Sequence, residues 1–159
     1  MNFFLSGLSV LSIGAILSVL STRLRGISGV IFLVTLISGC LLGAIAALGV
    51  LIHRVPIDYR LNLRMPTGEL YLGVDPLSAF FLLTITILFL SAGVYGYGYL
   101  KNDKGRNLSA HYALYHLLLI SMMLVVTAQN AVLLLIAWEM MALSSYFLIT
   151  FYDEKEAVR

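Results

Sequence analysis

Charge is scarce in this chain. Only 11% of its 159 residues are Asp, Glu, Lys or Arg, and 60% are hydrophobic. A soluble domain carries about 25% charged and about 45–50% apolar residues. An ordinary soluble fold is therefore excluded, and the composition describes an integral membrane polypeptide. The basic residues form no stripe or patch, which excludes a nucleic-acid partner. Cysteine occurs once, at Cys40, so neither an internal disulfide nor a cysteine-based metal site can form. In a greasy run it reads as a small packing residue. His53, His111 and His116 do not fall at metal-ligand spacing. No phosphate loop, dinucleotide fingerprint or nucleophile elbow is present. The sequence thus offers no metal site, no cofactor site and no redox centre of its own.

What is abundant is apolar length. Five segments, roughly 3–22, 27–52, 76–100, 110–129 and 131–151, are long enough to cross a hydrocarbon core of about 30 Å. The expected fold class is an all-α integral membrane protein, one membrane domain over residues 1–159. The first span is not a secretory leader, because no Lys or Arg precedes it while Arg23 and Arg25 follow it. Only a tight turn near Gln129 and Asn130 separates the fourth and fifth spans, so they form an antiparallel hairpin.

Loop charge sets orientation. Arg23, Arg25, Lys101, Lys104, Arg106, Lys155 and Arg159 fall on one side. Arg54, Arg60 and Arg64 fall on the other. The first side reads as cytoplasmic, which leaves the N-terminus extracytoplasmic in a multi-pass protein of a prokaryotic inner membrane. Between the second and third spans, Ile57, Tyr59, Leu61, Leu63 and Met65 alternate with Asp58, Arg60, Asn62 and Arg64, the pattern of a strand. Pro66 to Glu69 supply turn chemistry and Leu70 to Leu72 return. A short extracytoplasmic β-hairpin is expected there. Asp75 and Pro76 then open the next helix as N-cap and first residue. Gly39, Gly43 and Ala47, four residues apart, suit close helix packing. Tyr95, Tyr97 and Tyr99 suit an interfacial aromatic belt.

One acid breaks the fifth span. Glu139 sits alone within the apolar run from Val132 to Phe151. A charged side chain at the centre of a membrane helix costs about 2.5–3.5 kcal/mol on insertion scales, and such residues usually face a bundle interior or a water path. Glu139 is therefore the candidate proton-carrying group. Burial favours the neutral form of an acid and a nearby cation the charged form, so a carrier needs the two in near balance. No lysine lies inside any span, which places any basic partner elsewhere. On a helix Glu139 neighbours Leu135, Ile136, Ala142 and Leu143, with Ser145 and Tyr146 near the same stripe two turns on. His116, in the fourth span, differs from Glu139 in depth by roughly 7 Å at 1.5 Å per residue. It is a candidate relay, since imidazole titrates near neutrality. The bland alternatives are an inert, hydrogen-bonded acid and a histidine that only packs.

Three motifs then form a constellation. They are Val74-Asp75-Pro76-Leu77-Ser78 opening a helix, Ile120-Ser121-Met122 with Ala128-Gln129-Asn130 beyond it, and Trp138-Glu139 followed by Leu143-Ser144-Ser145-Tyr146-Phe147-Leu148. Together they resemble the antiporter-like membrane subunits of respiratory complex I and group 4 hydrogenases. The stretch Ala137 to Leu148 looks most like the large membrane subunit of group 4 hydrogenases, hydrogenase-4 component B or formate hydrogenlyase. The resemblance implies that Glu139 matches a proton-translocation glutamate, one that in the family works with a lysine of a broken seventh helix. It also implies other membrane subunits as partners and, through them, soluble redox subunits. The chain stops at Arg159, short of that lysine, so it is expected to be the N-terminal part of such a subunit and not to pump alone. His116 departs from the family, where a small polar residue is expected. The expected function is a non-catalytic membrane segment of a proton-translocating oxidoreductase. A part of a multisubunit cation/proton antiporter and a structural scaffold are the alternatives.

Overall fold

The structure, a computed structural model, describes residues 3–21, 25–65, 68–100 and 108–150, with the backbone alone for 25–26, 60–65 and 68–70. Five helices and one strand pair follow in order: α1 (Phe3–Leu20), α2 (Arg25–His53), β1 (Ile57–Met65), β2 (Gly68–Val74), α3 (Pro76–Leu100), α4 (Ser109–Thr127) and α5 (Ala131–Thr150). All five helices are long and apolar enough to cross a membrane. The expected all-α membrane fold with a hairpin between the second and third helices is what the chain forms. Lys101, Lys104, Arg106, Arg23, Lys155 and Arg159, which set the expected orientation, lie outside the described residues.

The core forms around α2, which packs against α1, α3 and α4. On α1 the buried residues are Phe4, Gly7, Leu11, Gly14 and Ser18. They alternate steps of three and four, the seam of a helix packed lengthwise on its neighbours. The small row read on α2 meets this seam. A Cβ built on Gly7 would lie 3.1 Å from the Gly39 carbonyl oxygen and 3.3 Å from the Gly43 nitrogen, so the two backbones nearly touch there. Leu11 seats over Gly39, where a Cβ would fall 2.6 Å from Leu11 Cδ2. Cys40 is buried in this core, where it packs against its neighbours.

Capping follows the sequence. The Ser78 N–H donates to Asp75 Oδ1 at 2.6 Å. That backbone hydrogen bond holds the Asp75 carboxyl below its usual range. Asn130 plays the same part for α5, accepting from the Leu133 N–H at 2.7 Å. The helix α2 ends with Arg54 at φ 54°, its N–H donating to the Val50 carbonyl at 2.8 Å. A left-handed residue closing a helix is usually glycine.

The hairpin pairs antiparallel, with Ile57 opposite Val74, Tyr59 opposite Leu72 and Leu61 opposite Leu70. Its return strand runs to Val74 and includes Gly68 and Glu69, so it is longer than expected and the turn is tighter. Leu72 and Val74 are buried, and Tyr59 stacks on Phe4 of α1 with centroids 6.1 Å apart. The expected fourth span to residue 129 is cut at Thr127. Ala128 turns extended and bridges to Leu72, while the Gln129 N–H donates to the Tyr71 carbonyl at 3.0 Å. The hairpin thereby ties the α4–α5 turn to the start of α1 at one end of the bundle.

Candidate functional site

Glu139 lies near the middle of α5, a helix that packs chiefly against α4 and buries only Ala137 and Ser144. Its side chain is exposed. Leu135, Ile136, Leu143, Tyr146 and Phe147 are exposed too, and they share its side of the helix by three- and four-residue steps. Among the described residues Glu139 makes no hydrogen bond or ion pair. The carboxyl thus points outward from the five-helix bundle, on a stripe that is apolar except for itself and Tyr146.

Ser145 sits off that stripe. It is half-buried and its hydroxyl turns back to donate to the Ala142 carbonyl at 2.9 Å. Tyr146 is 60% exposed and packs its ring edge-on to Phe147 at 5.6 Å. Glu139 and Tyr146 therefore share a face and Ser145 serves its own backbone.

His116 is placed elsewhere. It is fully buried in α4 and directed at α1 and α2. Its Nε2 lies 2.9 Å from Thr35 Oγ1, and its Nδ1 lies 2.9 Å from the Tyr112 carbonyl oxygen. Phe32 stands edge-on to the ring at 5.3 Å. Both ring nitrogens are engaged by protein atoms, so no hydrogen bond links His116 to Glu139. Thr35 was not singled out in the sequence, nor was Gly14, whose absent side chain opens the space. A Cβ there would fall 2.6 Å from Thr35 Cβ and 2.9 Å from His116 Nε2. Neither carries a sequence signal, since threonine and glycine are common in membrane helices.

No group of three or more potential metal ligands occurs among the described residues. The fold defines a multi-pass membrane protein with a carboxyl exposed at the mid-span of α5. No family model matches the chain. It is 30% identical over 91 residues to hydrogenase-4 component B of Escherichia coli, covering 57% of this chain and 14% of that protein. Over 95 residues it is 38% identical to NADH-quinone oxidoreductase subunit L of Mycobacterium tuberculosis, covering 57% and 15%. An Mnh antiporter subunit of Staphylococcus saprophyticus is 35% identical over 82 residues, covering 52% and 10%. The chain thus spans about one-seventh or less of each relative. In fold it matches a chain of the membrane-bound sulfane sulfur reductase, an archaeal respiratory membrane complex. That match has a TM-score of 0.75 and 23% identity, and covers 96% of this chain and 23% of the other. This chain is thus related, over part of its length, to antiporter-like membrane subunits, as its motifs indicated.

Proposed function

We propose that the chain is a membrane segment of a proton-translocating oxidoreductase and that Glu139 is its protonatable group. The observation that carries this reading is the exposure of Glu139 at mid-span. A carboxyl held against lipid is costly, and acids in membrane helices face protein or water. The stripe from Leu135 to Phe147 is therefore covered in the working complex by a further membrane helix, one that offers Glu139 a polar or basic group. Tyr146, on the same stripe, lines the same contact. The partners are other membrane subunits and, through them, soluble subunits that carry the redox chemistry. The hairpin end faces outward from a prokaryotic inner membrane.

The Mnh relative favours a second reading, a part of a multisubunit cation/proton antiporter. Neighbouring genes discriminate: hydrogenase or dehydrogenase catalytic subunits support the first, small antiporter subunits the second. Glu139→Gln, introduced into the complete complex, tests the shared core of both. Proton uptake into inverted vesicles, followed by a pH-sensitive dye, is expected to fall to background while native gels show intact assembly. Unchanged uptake with intact assembly would leave only a packing role for Glu139.

A further inference from the structure

We propose that His116 and Thr35 form a second proton-binding site, inside the seam between α1, α2 and α4, reached along α1 past Ser18. This site is separate from Glu139 and does not rest on the reading above.

Counting hydrogens makes the case. Nδ1 of His116 lies on the Tyr112 carbonyl oxygen, which only accepts, so Nδ1 carries a hydrogen. The other contact, Nε2 to Thr35 Oγ1 at 2.9 Å, can be satisfied in two ways. Thr35 Oγ1 is also 2.8 Å from the Ile31 carbonyl and 3.2 Å from the Phe32 carbonyl. With the hydroxyl hydrogen on Nε2, the imidazole is neutral. With that hydrogen turned onto Ile31, Oγ1 offers its lone pair to an Nε2–H, and the ring is an imidazolium. Loading is therefore one proton gained at Nε2 and one hydroxyl rotation: the His116–Thr35 bond reverses its donor and acceptor, a bond from Thr35 to the Ile31 carbonyl is gained, and no heavy atom is displaced. Unloading is the reverse.

The surroundings leave a charge on the ring uncompensated. Gly14 faces the ring from α1, Phe32 and Thr35 from α2, and Tyr112 and Tyr115 lie on its own helix. The described parts of α1, α2, α3 and α4 contain no Asp or Glu. Arg25 at the head of α2 and His53 at its end stand about 15 Å and 27 Å from Thr35 along the helix. His111 is about 7–8 Å away along α4, and no α3 residue within the span is charged. No acid in the described parts of α1 to α4 compensates an imidazolium, and no hydrogen bond joins the ring to Glu139 of α5, so the site holds its proton only while the proton supply favours it.

A polar step toward the ring lies on α1. Ser18 lies one turn beyond Gly14 on the same buried seam. Its Oγ is fully buried with no hydrogen-bond partner among the described residues, unlike Ser12 of the same helix, whose hydroxyl donates to the carbonyl four residues back. Ser18 thus has a donor and two lone pairs to offer a passing water. Buried Ser21, at the end of α1, donates to the Ser18 carbonyl at 3.1 Å and continues the polar edge to the helix end.

The test uses the full chain in phosphatidylcholine bilayers with ¹⁵N-histidine, read by solid-state NMR, the His116 signals being assigned by their loss in His116→Gln. Nδ1 is expected to stay protonated while Nε2 passes from bare to protonated as pH falls from about 9 to about 4. Thr35→Val removes the acceptor, and a hydrogen bond to a charged group is worth enough to lower proton affinity about tenfold, or roughly one pH unit. Thr35→Ser restores it, and Glu139→Gln leaves it unchanged. Ser18→Ala slows deuterium exchange at the ring several-fold, whereas Ser38→Ala, whose hydroxyl bonds its own helix, does not. A bare Nε2 over the whole range, an unshifted midpoint in Thr35→Val, or a midpoint moved by Glu139→Gln would overturn the site. Equal exchange in Ser18→Ala would overturn the route.

Discussion

At the scale of single residues, polar chemistry divides between two surroundings that a helical wheel does not tell apart. Glu139 interrupts its apolar run alone and proves exposed, while His116 is buried. The difference comes from helix position: α5 has one principal neighbour, α4 has several. Local chemistry is easier to foresee, and Asp75 shows it. Its oxygen accepts the first-turn Ser78 N–H, so Asp75→Ala is expected to lower unfolding stability in detergent by about 1 kcal/mol, and Asp75→Asn by less. The sign with pH follows. The folded carboxyl is held below its unfolded value of about 3.9. The cap's charged contribution is therefore full above that value and is lost as pH falls through the lower, folded one. A denaturation series from neutral to strongly acid pH checks this, since Asp75→Asn should lose that share of the acid decline. Arg54, at φ 54°, should gain from the opposite kind of change. A left-handed L-residue costs roughly 1 kcal/mol, and glycine gives part of that back through its freer unfolded chain. Arg54→Gly is thus expected to raise stability by about 0.5 kcal/mol in the same assay.

At the scale of elements, the α1–α2 contact depends on missing side chains. Gly39 accepts Leu11 on its bare face, so Gly39→Ala forces the helices apart or Leu11 off its rotamer, at about 1–3 kcal/mol. Leu11→Ala costs by itself through the cavity it leaves, yet the two together should cost less than their sum, because each relieves the other. Thermal unfolding of the four proteins of that cycle measures the coupling, and strict additivity would show that the contact is not there. The close approach was legible in the row Gly39, Gly43 and Ala47, though not its partner, because Gly7 and Leu11 look like any other residues of a greasy span. The hairpin was legible from the alternation Ile57 to Met65, which has the two-residue period of a pleated strand. Its reach to Ala128 and Gln129 was not, because pairing across 56 residues leaves no local pattern. His116 was visible as an oddity in an apolar helix. Its partner Thr35 was hidden, since which face of α2 meets α4 is settled only by packing.

At the scale of the whole molecule, the described helices form a bundle with one end tied by the hairpin. The hairpin, the start of α1 and the α4–α5 turn meet at a single end, so that end must lie entirely on one side of the membrane. The basic residues favour the other side as cytoplasmic, seven against three. Val55, just before the hairpin, is 62% exposed, and Cys40 is buried at 1%. Hence a cysteine placed by Val55→Cys reports without background from the native thiol. In intact cells, with the outer membrane made permeable, an impermeant maleimide is expected to label Val55→Cys at once. Lys104→Cys, between α3 and α4 in the sequence, should react only after the inner membrane is opened. Since five spans put the two positions on opposite faces whichever way the bundle is inserted, labelling of both from outside would break the five-span topology. A reversed pattern would keep the fold and turn it over, placing the Ser21 end of the α1 seam, and with it the entry to His116, on the outer face.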